Sequence, residues 1–380
     1  MPPSSQPDPL RGIDQLRGLA ILLVLGYHAG GLGWRLPPYR PDGWLALPHL
    51  GAAWLLVPLF HFGFAGVHLF FVLSGFCIHL RAARMAAAGR RDLPSVREFL
   101  LRRFWRIVPP YWIALGLFGL AVPLAARALR LAADPAAGAS DLALHAALLH
   151  SFSPRTIFSI NPAFWSLATE AQFYLAYPLL LPHLRRIGMR RVLALALGLS
   201  LAWRGVVLAT LPPTVEHFMA YRVLLSAPLP PRWFEWLLGC ALAEAWAARA
   251  PILDGGGRRL AIAGAALLVL AMAARVHVVV DKLASDALFS SGFAALGGAV
   301  LAARGGSSLV GALVGRALAA VGHRAYGIYL VHQPILDWQA APRLLRNLAA
   351  PVAGWLFSAL AERPFERRAG RVGDRARRAA

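Results

Sequence analysis

The sequence has few charged residues, almost no lysine and very little cysteine. Only 15% of its 380 residues are charged, 58% are hydrophobic, and the mean hydropathy is +0.55. A soluble chain has about 25% charged residues. The two cysteines, Cys77 and Cys240, lie in apolar segments and provide neither a disulfide framework nor a metal cluster. These deficits exclude a soluble, disordered or disulfide-stapled protein and indicate a polytopic membrane protein.

The signatures of several protein classes are also missing from the sequence. It contains no Walker loop, no GxGxxG after a strand and no GxSxG turn, which argues against phosphate-cleaving motors and soluble hydrolase folds. It has no HxxxH pair, so we predict no metal. An internal repeat, which many transporters carry, is not visible either.

Basic residues outnumber acidic residues by 39 to 18, which gives a net charge of +21. In a soluble protein this balance would indicate nucleic-acid binding. Here the arginines lie between apolar runs, with clusters in residues 81–106 and 363–378, and Lys282 is the one lysine. This distribution predicts membrane topology instead, with the basic-rich segments and both termini in the cytoplasm. We expect no nucleic-acid partner.

Ten apolar runs are long enough to cross about 30 Å of hydrocarbon. They cover residues 16–34, 60–80, 107–129, 164–184, 192–211, 233–250, 260–274, 288–303, 318–338 and 345–361. Because no alternating strand pattern is present, the predicted fold class is all-α, a polytopic integral membrane protein with a single bundle of about ten transmembrane helices. The predicted parts are a cytoplasmic N-terminal segment (1–15), a transmembrane domain (16–361) and a basic cytoplasmic tail (362–380). A short interfacial helix is expected around residues 142–149.

Ionisable side chains inside apolar runs are costly and point to function. In the first run, Arg17 and His28 lie on one helix face, about 16 Å apart along the axis. With Arg17 at the inner headgroups, His28 lies near or just beyond the middle of the membrane. Arg17 could also be an interfacial anchor, and His28 could be structural.

The fourth run contains FWSLATEAQFYLAYP, in which one stripe at helical spacing comprises Ser166, Glu170, Phe173, Tyr174 and Tyr177. Glu170 is the sole carboxylate of this segment, at a depth comparable with that of His28, so a pair across the bundle is geometrically possible. Alternatively, Glu170 is a structural partner of a buried arginine or tyrosine.

Two further segments combine small or polar residues with apolar ones. The stretch GVHLFFVLSGFCIHL contains Gly66 and Gly75, which favour close backbone approach between helices. Near the carboxyl end, AYGIYLVHQP places Tyr329 and His332 on one helix face, with Tyr326 a turn earlier.

Arginines are concentrated in the segment RRFWRIVPPYW before the third run. Arg103 and Arg106 precede Pro109 and Pro110, which we expect to reset the backbone where the third run begins. Arginines at a cytoplasmic helix end can bind phosphates bidentately. They could equally serve only to fix the topology.

Taken together, these segments resemble membrane-bound acyltransferase family 3, which includes bacterial O-acetylases of lipopolysaccharide, exopolysaccharide and other exported glycans. The resemblance spans most of the chain and rests on RGLAILLVLGYH from Arg17 to His28, GVHLFFVLSGF, Arg103 and Arg106, WSLATEAQFY, YGIYLVH, and ERPF at residues 362–365. The family commonly has two adjacent acids in the fourth-run motif. Here Glu170 is followed by Ala171, which puts in doubt any role that needs both carboxylates.

The resemblance implies an O-acyltransferase of the bacterial inner membrane. Such an enzyme transfers an acyl group, usually acetyl, from cytoplasmic acyl-CoA to a hydroxyl of a glycan, glycolipid or related exported acceptor. The energy barrier of this acyl transfer lies in activating the acceptor hydroxyl and in stabilising the tetrahedral oxyanion. We expect His28 to be the general base or, less favoured, an acyl carrier, oriented by Glu170 or Tyr329. The family pattern assigns the CoA phosphates to Arg103 and Arg106, with Arg17 nearby as a further cofactor-binding residue. The predicted substrate contacts are Trp165, Ser166, Tyr174 and His332.

Two other function classes stay open on the sequence. A proton-coupled transporter would also use buried histidine and glutamate, but it would move its substrate without consuming acyl-CoA. A non-catalytic membrane scaffold is favoured only if His28 and Glu170 are dispensable. Within the enzyme class, the donor could be succinyl-CoA, and the acceptor could be a polysaccharide, a glycolipid, a macrolide-like metabolite or a glucosamine.

Overall fold

The computed structural model of the protein describes residues 9–30, 61–90, 92–128, 138–214, 216–253, 257–303, 309–338 and 340–379. Regular structure in these ranges is helical throughout, which agrees with the predicted all-α class. The α-helices in chain order are α1 (Pro9–Gly30), α2 (Gly66–Ala87), α3 (Val96–Gly116), α4 (Val122–Ala128), α5 (Ala139–Ala146), α6 (Trp165–Ile187), α7 (Met189–Thr210), α8 (Phe218–Ser226), α9 (Trp233–Ala247), α10 (Gly257–Ala274), α11 (Val278–Val280), α12 (Asp286–Ala302), α13 (Leu309–Gly322), α14 (Ala325–Asp337), α15 (Arg343–Phe357) and α16 (Arg363–Ala379).

Several of these helices are joined into longer continuous helical segments by π-helical or 3-10 turns. Within the described ranges, six are long and apolar enough to cross a membrane: Gly63–Ala87, Val96–Ala128, Met189–Thr210, Gly257–Ala274, Val278–Ala302 and Arg343–Val372. The predicted count of about ten is therefore not confirmed. Large apolar side chains on these long helical segments are exposed, including Leu195 (65%) and Leu360 (77%). Such surfaces suit contact with lipid.

The chain divides into two compact units, which are described separately. Unit 1 comprises residues 1–92, 189–208 and 233–325, and unit 2 comprises residues 93–188, 209–232 and 326–380. The predicted limits at residues 15 and 361 stay predictions.

In unit 1, α2 and α9 pack backbone against backbone at two glycines. A Cβ atom on Gly75 would lie 1.9 Å from the Trp236 carbonyl oxygen, and one on Gly239 would lie 1.9 Å from the Val72 carbonyl oxygen. No side chain fits at such distances, so glycine sets the spacing of this helix pair. The close approach predicted for the small residues of α2 is confirmed.

In unit 2, α3 packs against α14 and α16. The Trp105 ring stacks on Phe365 with 6.3 Å between centroids, and the Arg368 guanidinium lies 5.1 Å from the Trp105 centroid. The Tyr326 hydroxyl of α14 donates a hydrogen bond of 2.7 Å to the Ile107 carbonyl of α3. These contacts bring the arginine segment, YGIYLVH and ERPF into one packed unit.

One predicted helix is wrong because the ninth run, 318–338, is not continuous. Helix α13 ends at Gly322 and α14 begins at Ala325. The polar residues His323 and Arg324 form a turn between the two helices. A long hydropathy window averages over so short an interruption.

The expectation that Pro109 and Pro110 would reset the backbone is also wrong. Helix α3 runs through both prolines from Val96 to Gly116. Apolar helices tolerate proline because each one removes only a single backbone donor and neighbouring groups satisfy the freed carbonyls. Arg103, Arg106 and the third run therefore belong to one helix.

The segment predicted to form a short interfacial helix contains α5, which ends at Ala146, and its position at the membrane interface stays a prediction. Leu148 has a φ of 59°, in the left-handed region, so the helix does not reach residue 149. Residues 1–8 and the end of the first predicted run, 31–34, lie outside the described residues.

Candidate active site

The stripe predicted on the fourth run lies on α6 and faces the interior of unit 2. Four of its members are buried, namely Ser166, Phe173, Tyr174 and Tyr177, and Glu170 is partly buried. On the opposite side, Leu175 and Leu179 are 67% and 74% exposed. The helix is therefore amphipathic, with the polar stripe turned inward and Leu175 and Leu179 turned outward, as in a helix that borders lipid.

At the amino-terminal end of α6, the Ser166 and Tyr329 hydroxyl oxygens lie 2.7 Å apart. Both also reach the Ala163 carbonyl oxygen, at 3.3 Å from Ser166 and 3.1 Å from Tyr329. Because a carbonyl only accepts, one hydroxyl donates to it and the other donates to its neighbour. The result is a buried pair of O–H groups that can reorient toward a developing negative charge.

Asn161 holds this hydroxyl pair together. Its side-chain amide donates a 2.9 Å hydrogen bond to the Leu330 carbonyl, and its side-chain oxygen accepts one of 3.0 Å from the Ala163 N–H. The segment before α6 is thus tied to α14 one residue from Tyr329. Asn161 could not be singled out from the sequence, because an asparagine just before a helix is usually only a cap.

One turn further along α6, Tyr174 donates a hydrogen bond to Glu170. The Arg103 guanidinium lies 6.0 Å from the Tyr174 ring centroid and 5.9 Å from that of Phe99. In unit 2, Glu170 thus has the tyrosine partner that the structural alternative predicted. From Ser166 to Tyr174, α6 carries a line of polar groups about 12 Å long.

The arginine segment lies on α3, beside this line. Arg106 is 38% exposed and lies 3.8 Å from a carboxylate oxygen of Glu366 on α16. Arg102 pairs loosely with Glu98 at 3.5 Å. Arg106 thus combines a partner on the tail helix with solvent access, which suits an anion-binding side chain.

His332 lies on α14 one turn after Tyr329, and both side chains are buried. Its Nδ1 is 2.8 Å from the Tyr329 carbonyl oxygen. A carbonyl accepts only, so Nδ1 carries the hydrogen, and in the neutral ring Nε2 is the basic nitrogen. The predicted shared face of Tyr329 and His332 is confirmed by a ring separation of 5.4 Å.

Arg17 and His28 lie in unit 1 on the continuous helix α1. An Arg17 nitrogen donates to Asp14 at 2.9 Å, and another lies 3.2 Å from the Cys77 sulfur. The His28 ring contacts Tyr27 edge to face at 5.1 Å, and its Nδ1 is shielded from solvent. Glu170 and Tyr329 belong to unit 2, so the predicted orientation of His28 by either residue stays a prediction.

A family model described as an acyltransferase domain matches residues 10–360, which is most of the chain. The chain belongs to acyltransferase family 3. The line along α6 therefore lies in an acyltransferase. Five of the six segments that carry the resemblance lie within the matched region, and ERPF at residues 362–365 follows just after it.

Three curated relatives support this membership. Acyltransferase MdmB of Streptomyces mycarofaciens is 29% identical over 81% of this chain and 82% of its own. Peptidoglycan O-acetyltransferase OatA of Listeria monocytogenes is 26% identical over 85% of this chain, and O-acetyltransferase OatA of Staphylococcus aureus is 26% identical over 86%. The chain spans only about half the length of these two O-acetyltransferases, 49% and 50%. No solved structure matches it.

Two arginines that we did not single out lie beside the site of this acyltransferase. The Arg222 guanidinium of α8 and that of Arg232 lie 5.9 Å and 5.6 Å from the Trp165 ring centroid. Thr169 and Gln172 of α6 donate to the Ala227 carbonyl at 3.3 Å and 2.7 Å, which fixes the end of α8. In sequence, these arginines were indistinguishable from other loop arginines.

The segment that links α3 to α6 in this acyltransferase contains a buried histidine pair. The rings of His145 and His150 stack with 3.9 Å between centroids. Burial lowers the pKa of His145, an effect that Asp141 partly offsets. Burial and the charge of His145 lower the pKa of His150 to about 3. Both rings are therefore neutral at pH 7 and destabilise the fold if protonated.

In the part of the chain that the structure describes, no group of three or more histidine, cysteine, aspartate or glutamate side chains is arranged to hold a metal ion. The polar groups along α6 are instead hydroxyls, a carboxylate and guanidinium ions. This set suits proton transfer, hydrogen bonding to an oxyanion and binding of phosphate.

Proposed function

We propose that the protein is an integral membrane O-acyltransferase that transfers an acyl group, acetyl in the simplest case, from acyl-CoA to a hydroxyl of a glycan or glycolipid. The observation that carries this proposal is the line of polar groups along α6, from the Ser166 and Tyr329 hydroxyls to Tyr174 and Arg103, in a chain that belongs to an acyltransferase family. The names of the Listeria and Staphylococcus relatives support acetyl as the group transferred, and the Listeria name supports a glycan acceptor.

The donor would bind with its phosphates at Arg103 and Arg106. Guanidinium groups bind phosphate with paired, charge-assisted hydrogen bonds, and Arg106 is open to solvent. Arg17 is proposed as a further phosphate contact on α1, and its pairing with Asp14 implies a weaker role. A cytoplasmic donor requires these arginines at the inner side of the membrane, with both termini in the cytoplasm.

The reacting end of the donor would lie toward the other end of α6. There the O–H groups of Tyr329 and Ser166 can donate to the thioester carbonyl oxygen as it becomes negative. Trp165, Tyr174 and His332 surround this region and are proposed contacts of the substrates. Glu170, held by Tyr174, is proposed to fix the position of that tyrosine.

His28 is proposed as the general base. Its imidazole takes the proton of the acceptor hydroxyl while the oxygen attacks the thioester carbon. The carbon–sulfur bond then breaks, an ester forms, and the thiolate of CoA takes up a proton. The reaction is thus balanced without a metal or an oxidant. His332, whose Nε2 is the basic nitrogen, is the alternative base within unit 2.

The test is release of free CoA by purified protein in liposomes supplied with acetyl-CoA, with and without candidate glycans or glycolipids. The proposal predicts CoA release that depends on the acceptor, with the acyl label recovered on it. Movement of a solute across the liposome membrane without any CoA release would instead support a transporter. Absence of both would support a scaffold.

A further inference from the structure

Unit 1 contains a group of buried ionisable side chains that the proposed chemistry does not use. The group comprises His68 on α2, Arg204 on α7, Glu235 on α9 and Asp286 on α12. Their side chains are 4%, 3%, 2% and 16% exposed. Ionised groups this deep are costly unless they compensate one another.

The four side chains form a continuous chain of ion pairs across four helices. His68 Nδ1 lies 2.8 Å from a Glu235 carboxylate oxygen, and His68 Nε2 lies 3.4 Å from an Asp286 carboxylate oxygen. Asp286 in turn accepts a 2.6 Å hydrogen bond from Arg204. A second Arg204 nitrogen donates 2.8 Å to the Lys282 carbonyl. The imidazole therefore has a carboxylate at each of its two nitrogens.

Counted over these four side chains, the charges balance with one proton on the ring. Two carboxylates and one guanidinium sum to minus one when the imidazole is neutral and to zero when it is protonated. A neutral imidazole carries one N–H, whereas an imidazolium carries two. Carboxylates at both nitrogens therefore match the imidazolium in geometry as well as in charge.

Other charged groups near His68 are already paired. The Arg275 guanidinium lies 4.4 Å from the Phe64 ring centroid, and that ring lies 6.2 Å from His68. Arg275 and Lys282 both bind Asp281, at 2.9 Å and 2.8 Å, and both are about one fifth exposed, at 24% and 20%. On the remaining side, the His68 ring stacks on Phe289 at 5.8 Å. The carboxylate at each ring nitrogen is therefore the basis for placing a proton on His68.

The same end of α2 packs against the part of α1 that carries His28. A Cβ atom on Gly63 would lie 2.1 Å from the Leu23 carbonyl oxygen and 3.0 Å from the Tyr27 Cβ atom. Tyr27 contacts both Phe64, at 5.7 Å, and His28. The 3-10 turn that leads into α2 therefore contacts the last turns of α1.

We propose that unit 1 binds one proton on His68, held as an imidazolium between Glu235 and Asp286, and that this ion group positions the end of α1 that carries His28. The positioning of α1 rests on the proposed function, because it assumes that His28 reacts. The proton on His68 is independent of the proposed function.

The proton site is tested by ¹⁵N spectra of histidine-labelled full-length protein in lipid bilayers at about pH 8, where an ordinary exposed histidine is neutral. We expect one imidazolium signal that His68→Asn removes and that His79→Asn keeps. His79 is the matched control, because it lies on the same helix and pairs with a Glu244 side chain that is 41% exposed. A His68 ring that is neutral in this experiment would overturn the proton site.

Charge balance provides a second test if His68→Asn fails to fold. His68→Asn alone leaves a buried excess negative charge and should lower the melting temperature most. In the variant Glu235→Gln, the charges of Asp286 and Arg204 cancel without a proton on the His68 ring. This variant should therefore fold and show a neutral His68. The double variant His68→Asn with Glu235→Gln should recover most of the lost stability. If adding Glu235→Gln gives no recovery, the group acts through packing alone and the proposal fails.

The positioning role is tested on the folded double variant. We expect kcat of acyl transfer to fall by about tenfold or more, as small displacements of a reacting group do, with KM for acyl-CoA unchanged. An unchanged kcat would overturn the positioning role. If the unsubstituted protein transfers no acyl group at all, the proposed function fails, and the spectra still decide whether His68 holds a proton.

Discussion

At the scale of single residues, the proposed site assigns binding of the donor and reaction with it to different groups. Arg106 is partly exposed and pairs with Glu366 at 3.8 Å, a distance that leaves its guanidinium available to phosphate. Tyr329 is buried, and its hydroxyl lies within 3.1 Å of both the Ser166 hydroxyl and the Ala163 carbonyl oxygen. Substitution of these two residues should therefore change different kinetic constants.

Arg106→Ala should raise KM for acyl-CoA by about tenfold, the effect of losing a charge-assisted contact of 1.5–3 kcal/mol, with a much smaller fall in kcat. Steady-state kinetics with varied acyl-CoA measures both constants. Arg90→Ala is the matched control, because Arg90 is exposed and pairs only with its neighbour Asp92 among the contacts described. If kcat falls and KM does not change, Arg106 does not bind the donor.

Tyr329→Phe should lower kcat by about 10²-fold, the usual effect of removing one donor to a developing oxyanion. The ring keeps its packing, so the variant should fold and bind acyl-CoA normally. Tyr221→Phe is the control, because its hydroxyl also donates to a backbone carbonyl, that of Leu211, outside the line along α6. Equal activity of the two variants would contradict a role for the Tyr329 hydroxyl in the reaction.

At the scale of helices, glycine decides how closely α2 and α9 pack. Gly75→Ala would place a Cβ atom 1.9 Å from the Trp236 carbonyl oxygen, so one helix must move. We expect a loss of at least about 1–3 kcal/mol in the free energy of unfolding, measured as a lower melting temperature. Gly198→Ala on α7, where the new atom meets nothing within 4 Å, should be neutral or stabilising by up to about 1 kcal/mol. Similar melting temperatures for the two variants would contradict the packing described.

How much the sequence predicts also differs between helices. Periodicity identified the stripe on α6, because a buried polar face repeats every three to four residues. It failed at residues 323–324, where a break of two residues is lost in a long apolar run. The expectation that Pro109 and Pro110 break the helix also failed, because the effect of a proline depends on whether neighbouring groups satisfy the freed carbonyls. Asn161, Arg222 and Arg232 could not be found, since their roles come from contacts between residues far apart in sequence.

At the scale of the whole molecule, stability should depend on pH through the histidine pair between α3 and α6. The pKa values of His145 and His150 are lowered in the folded protein, that of His150 to about 3. The unfolded chain binds protons near pH 6.5, so the stabilisation is complete above that pH and decreases as the pH falls toward 3.

We therefore expect the melting temperature in detergent to fall between about pH 7.5 and pH 5. The variant His150→Phe keeps a stacked ring but no longer titrates, so its melting temperature should fall less over the same range. His277→Phe, at an exposed histidine, is the control and should follow the unsubstituted protein. A fall for His150→Phe that equals or exceeds that of the control would contradict the assigned pKa shift.

The central claim is that this membrane protein transfers an acyl group with His28 as the base. The most direct measurement is recovery of labelled acetyl ester on an acceptor glycan, from labelled acetyl-CoA, by purified protein in liposomes and by its His28→Ala variant. The account predicts labelled ester from the unsubstituted protein and a loss of at least about 10²-fold in the variant, with the variant inserted normally. Full activity of His28→Ala would contradict the assignment of the base, and no ester from either protein with any acceptor would contradict the proposed function.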